Sequence, residues 1–135
     1  MPFETTAGAA TFLAGRALLG GVFAYLGVSN LLDVRAKIAY ARDTGIPLAS
    51  VAVPAAFVLL VIGGLGVLTG VYPAVASLAI IAFFAGVTPA MHAFWRIEDP
   101  DERESEKTQF LLNTALLGSA LVLLALGGTN WPYGL

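Results

Sequence analysis

Between Asp43 and Arg96 the chain carries no Asp, Glu, Lys or Arg: Thr44 to Trp95 is 52 consecutive residues without a formal charge. A helix crossing the hydrocarbon of a bilayer needs about 20 apolar residues. The stretch is therefore too long for one crossing and fits two, joined by a short turn at Gly70-Val71-Tyr72-Pro73. Only 12% of the 135 residues are charged, against about 25% in an average soluble domain. A further apolar segment lies on each side. The expected spans are Ala9–Leu32, Pro47–Thr69, Pro73–Trp95 and Thr108–Gly127, with polar connections over 33–46 and 96–107. The expected fold class is all-α: one domain, 1–135, folded as an integral membrane four-helix bundle.

Lys and Arg set the expected orientation. The first connection holds Arg35, Lys37 and Arg42, and the third holds Arg96, Arg103 and Lys107. The segment before Arg16, the second connection and the tail hold none. Positive residues mark cytoplasmic loops, so both termini are expected outside the cytoplasmic membrane of a prokaryotic cell. Glu4 and the lack of early basic residues do not read as a cleaved signal. The segment Ile97 to Lys107 is expected to be a solvated acidic loop, and Trp131 and Tyr133 to lie at a membrane surface.

Composition excludes several chemistries. There is no cysteine, hence no thiolate metal site or iron–sulfur ligation by this chain. His92 is the one histidine, so a bis-histidine haem has no second ligand here. No metal site and no covalently bound cofactor are expected. A net charge of −2 without a basic patch gives no case for nucleic acid.

Small residues recur at spacings that let helix backbones approach in lipid: Gly66 with Gly70, Ala82 with Gly86, and Gly20 and Gly27 along span one. These glycines are expected to pack helices, within the bundle or between subunits. Pro54 and Pro89 lie inside spans and are expected to kink them.

Arg16 is the costliest residue, a charge inside span one with no carboxylate in any span. Arg16, Gly20, Phe23, Gly27 and Asn30 share one helical stripe, expected to face the bundle. Two readings of Arg16 stand: snorkelling or bonding to backbone carbonyls, and an anion or quinone-carbonyl site. A second polar group gathers where the spans meet the cytoplasm. Thr88, His92 and Trp95 are expected on one face of span three, Gln109 and Asn113 on one face of span four, and Asn30 and Asp33 at the end of span one. Imidazole exchanges protons near neutral pH, whereas the plainer reading is helix-end and headgroup satisfaction.

Specific residues then carry a likeness. Gly15-Arg16-Ala17-Leu18-Leu19-Gly20 with Asn30-Leu31-Leu32-Asp33, Gly63-Gly64 with Leu68-Thr69-Gly70, His92-Ala93-Phe94-Trp95 and Phe110-Leu111-Leu112-Asn113 together resemble the DoxX family of small membrane proteins, over nearly the whole chain. One departure is Leu60, where members of the family often carry a Glu. The resemblance implies a quinone-linked membrane oxidoreductase system, with this chain as an accessory or quinone-interacting subunit and at most a non-autonomous part of the enzyme. Candidate quinone-binding residues are Arg16, Asn30, His92, Trp95, Gln109 and Asn113. Expected partners are membrane lipid, other membrane subunits or further copies of the chain. A structural subunit and a small-solute carrier are the alternatives.

Overall fold

The computed structural model describes residues 3–135, so the first two residues of the expected domain lie outside it. Five α-helices follow in order: α1 (Thr6–Leu32), α2 (Val34–Asp43), α3 (Ala49–Thr69), α4 (Pro73–Met91) and α5 (Pro100–Leu126), with a 3-10 turn at Phe94–Arg96. Four are long and apolar enough to cross a membrane; the short α2 is not. α1 packs on α3, α3 on α4 and α4 on α5, while α1 and α5 make no comparable contact. The bundle is thus a row of four antiparallel helices. The start of α1 and the C-terminal tail lie at one end, called the terminal end here. Helix α2 lies at the other.

Glycine explains the closest of these contacts. A Cβ on Gly20 would stand 2.6 Å from the carbonyl oxygen of Gly64, and one on Gly64 would stand 2.5 Å from the backbone nitrogen of Ala24. Backbone atoms cannot step aside, so only glycine permits the α1–α3 crossing. Gly27 extends the same seam against Phe57 and Val61. Gly63 and Gly66 play the equivalent part against Ala76 and Ile80 of α4. The buried residues of α1 are Ala9, Arg16, Gly20, Phe23 and Gly27; four of the five residues of the stripe expected from sequence are among them, and Asn30, the fifth, is half-buried. Around this seam the core gathers Phe23, Leu60, Val67, Ile80, Phe83, Phe84 and Trp131. The opposite faces expose Leu18, Val22, Ile62, Leu78 and Val122. Apolar outer faces on long apolar helices are what lipid demands.

Several expectations change. Segment 100–107 is not a loop. It is the solvent-exposed first part of α5, capped by the Asp99 carboxylate accepting from the Glu102 backbone N–H at 3.0 Å, with Pro100 in the first turn. Helix α4 ends at Met91, and the rest of the apolar span, to Arg96, is completed by the 3-10 turn. Pro89 lies two residues before that end, so its missing N–H falls where the helix stops. The α-helical assignment of α3 runs through Pro54 without a break. Gly70 ends α3 in the left-handed region at φ 77°, a glycine helix cap, and packs against the C-terminal tail rather than another helix, since a Cβ there would stand 3.0 Å from the Gly134 Cα. Gly86 meets no neighbour within 4 Å and is exposed, so it packs no helix of this chain.

Candidate functional site

The two ends of the bundle treat their polar residues differently. At the terminal end, Arg16 is 1% exposed. Its guanidinium donates through Nη1 to the Pro132 carbonyl and through Nη2 to the Tyr133 carbonyl, the latter at 2.7 Å. Its centre lies 5.6 Å from the Trp131 ring and 5.8 Å from the Phe12 ring, within reach of cation–π attraction. The tail that brings these carbonyls is itself tied down. Trp131 Nε1 donates to the Leu126 carbonyl at 2.9 Å, and the Leu135 backbone N–H donates to the Thr69 carbonyl at 2.9 Å. Arg16 is therefore a tether for the C-terminal tail, the carbonyl-bonded one of its two sequence readings. Trp131 is buried within this clasp rather than lying out at a surface.

At the α2 end, α1 and α5 stand apart and a cavity of about 670 Å³ opens between them. It is in the size range of small-molecule sites. Asn30 of α1, Lys37 and Tyr40 of α2, and Glu106, Gln109 and Asn113 of α5 supply polar lining, together with His92 at the end of α4. Leu60, Phe83, Phe84, Val87 and Met91 supply the apolar wall. His92 Nδ1 lies 2.6 Å from Glu106 Oε2. A carboxylate there accepts, so Nδ1 carries the proton and Nε2 is left as the working nitrogen. Gln109 Nε2 donates to Asn113 Oδ1 at 3.1 Å, and Asn113 is 6% exposed. Asn30 Nδ2 donates to the Leu26 carbonyl one turn back at 2.7 Å, leaving its oxygen for other partners.

Four of the six candidate residues from sequence, Asn30, His92, Gln109 and Asn113, thus line one cavity. Arg16 does not join them. Trp95 does not either: it falls in the 3-10 turn, is 54% exposed, and packs against Phe94 and Phe110. The end of α4 at Met91 breaks the face expected to run from Thr88 through His92 to Trp95. Asp33, expected as the carboxylate of the group, is exposed at the end of α1 and lies outside the cavity lining. Glu106 takes that place, in a cavity whose wall has Leu60 at the departure from the resemblance. Sequence reading missed Glu106 because it was assigned to a loop. The signal was present: Asp99-Pro100 opens a helix, and Glu106, Gln109 and Asn113 then share one face at i, i+3 and i+7. Among the described residues no three His, Cys, Asp or Glu gather as a metal would require.

Residues 11–93 match the family model described as DoxX. The chain belongs to the DoxX family. The matched region holds α1 from Thr11 onward, α2, α3 and α4. It stops before Trp95 and α5, so Phe110–Asn113 lies outside it. The DoxX match therefore includes Asn30 and His92 of the cavity but not Glu106, Gln109 or Asn113. No curated protein and no solved structure matches the sequence at a significant level.

Proposed function

We propose that this DoxX protein is a quinone-interacting accessory subunit of a membrane oxidoreductase complex, with its headgroup site in the cavity at the α2 end. The observation that carries this reading is a single space in which an oriented imidazole–carboxylate pair and three carboxamides face an apolar wall. The donor set fits the group. A quinone headgroup is a flat apolar ring with two carbonyl acceptors. It asks for a few convergent donors in an otherwise apolar site. Asn113 Nδ2 makes no hydrogen bond within the described residues and can donate to one carbonyl, and His92 Nε2 can serve the other when the imidazole is doubly protonated. Glu106 fixes the orientation of the imidazole through Nδ1. When bound, the quinone supplies the electron-accepting chemistry. The chain has neither a cysteine nor a second histidine, and in this reading a partner subunit brings the redox centre.

The positive-inside distribution places the cavity at the cytoplasmic face of a prokaryotic cell membrane in this proposal, with both termini outside. The natural absence of cysteine makes that testable. Single cysteines introduced at the exposed Ser105 and Gly128 should be labelled by an impermeant thiol reagent from the cytoplasmic and the external side respectively. The functional test is purification from native membranes in mild detergent, with co-purifying chains and extractable quinone quantified together. Redox subunits with quinone in stoichiometric amount are expected; absence of both would overturn the proposal.

A second reading, a purely structural subunit, has one observation in its favour. Ala82, Gly86 and Ala90 form an exposed row of small residues on α4, a surface another transmembrane helix can approach closely. Partners without retained quinone would favour it. The carrier alternative gains nothing comparable, since α3 continues through Pro54 and α4 ends beside Pro89.

A further inference from the structure

Beside the polar cavity lies a second, wholly different space. A groove of about 280 Å³ runs between α3 and α4, walled by Ala52, Ala56 and Leu59 on one side and Ala82, Gly86 and Ala90 on the other. Ala52, Leu59, Ala82, Gly86 and Ala90 are all exposed, so the groove faces lipid once the bundle is in a membrane. Lys37, Phe57, Phe83, Val87 and Met91 line both spaces. The two are therefore adjacent rather than divided by a helix, both bordered by Lys37 and Met91 at the α2 end. The absent side chain at Gly86 makes the groove, since nothing of this chain stands within 4 Å of where its Cβ would be.

From this geometry, and resting on the quinone reading above, we infer that the site takes a long-tailed amphiphile sideways from the bilayer. Its uncharged oxygenated ring occupies the cavity, and the first part of its prenyl tail lies in the α3–α4 groove. The lining supports an uncharged head: it holds no arginine to grip a phosphate, and its one carboxylate, Glu106, is paired with His92. The length of the groove supports a tail. Ala52 to Leu59 is two helical turns, about 10 Å, which holds the start of a prenyl chain and leaves the remainder in lipid. Lipid is as apolar as the groove, so the tail gains packing rather than hydrophobic transfer. Its contribution is correspondingly modest, about tenfold in affinity.

The test uses the full chain in nanodiscs with two radiolabelled probes, a tailless benzoquinone and a benzoquinone bearing a long prenyl chain, each measured against empty nanodiscs. Wild type is expected to bind the long-tailed probe about tenfold more tightly after correction for partitioning. Gly86→Leu fills the groove at an open position where no fold contact is lost. It is expected to abolish that preference while leaving affinity for the tailless probe unchanged. His92→Ala should weaken both probes alike. Equal binding of both probes by wild type, or an equal loss of both in Gly86→Leu, overturns the tail assignment while leaving the headgroup site in place. Binding of neither probe removes the quinone reading and this inference together.

Discussion

The two ends of this bundle hold similar raw material and use it in opposite ways. The terminal end contains a charge inside a span, the feature that most strongly suggests a site in a membrane protein. Yet Arg16 directs both terminal nitrogens to the chain itself, to the Pro132 and Tyr133 carbonyls, with aromatic rings beside it, and only its buried Nε has no partner among the described residues. The α2 end contains cheaper groups, an imidazole, three carboxamides and a carboxylate. There the helices diverge, and those groups keep hydrogen-bonding capacity facing an open space. What distinguishes a tether from a site is whether the polar group's partners come from its own chain. The cost of burying it does not decide the matter.

The largest expected effect breaks the terminal half of the comparison at its base. Gly20→Leu pushes a side chain into the Gly64 carbonyl and the Leu68 backbone. It should cost about 3 kcal/mol or more, seen as loss of a cooperative thermal transition in mild detergent. Arg16→Met should come next. Removing hydrogen bonds from a charged donor costs about 1.5–3 kcal/mol. The apparent Tm should fall and the tail from Gly127 onward should become sensitive to carboxypeptidase, with quinone retention kept. At the other end, His92→Ala should reduce quinone affinity at least about tenfold with an apparent Tm close to wild type, measured on the same preparation. Glu106→Gln keeps a hydrogen-bonding partner for Nδ1 but replaces the charged acceptor that orients the ring by a weaker neutral one, so a smaller loss of affinity is expected, with the fold intact. The smallest effect should be that of Trp95→Ala, which removes edge-to-face contacts with Phe94 and Phe110 worth about 1 kcal/mol and leaves quinone affinity unchanged.

The same contrast explains what the sequence revealed. The four spans and the inward stripe of α1 were legible because lipid enforces long apolar runs and close crossings enforce small residues. Gathering of Asn30, His92, Gln109 and Asn113 followed from their common depth. The partners of Arg16 were not legible, since backbone carbonyls more than a hundred positions away leave no mark in residue type. Glu106 was hidden for another reason. Hydropathy locates where a helix enters lipid, not where it begins, and α5 begins at Pro100, well before its apolar part. Trp95 was misplaced because α4 stops at Met91, just past Pro89, and the chain turns away. Gly86 shows the limit of spacing arguments. It has the pattern of a packing glycine and meets no helix of its own chain.

The central claim, that the working site is at the α2 end and Arg16 is a tether, is tested most directly by measuring quinone binding and thermal stability side by side for wild type, Arg16→Met and His92→Ala. The account predicts a crossed result: Arg16→Met less stable but still binding, His92→Ala stable but binding poorly. The reverse pattern, with binding lost on changing Arg16 and retained on changing His92, would contradict it.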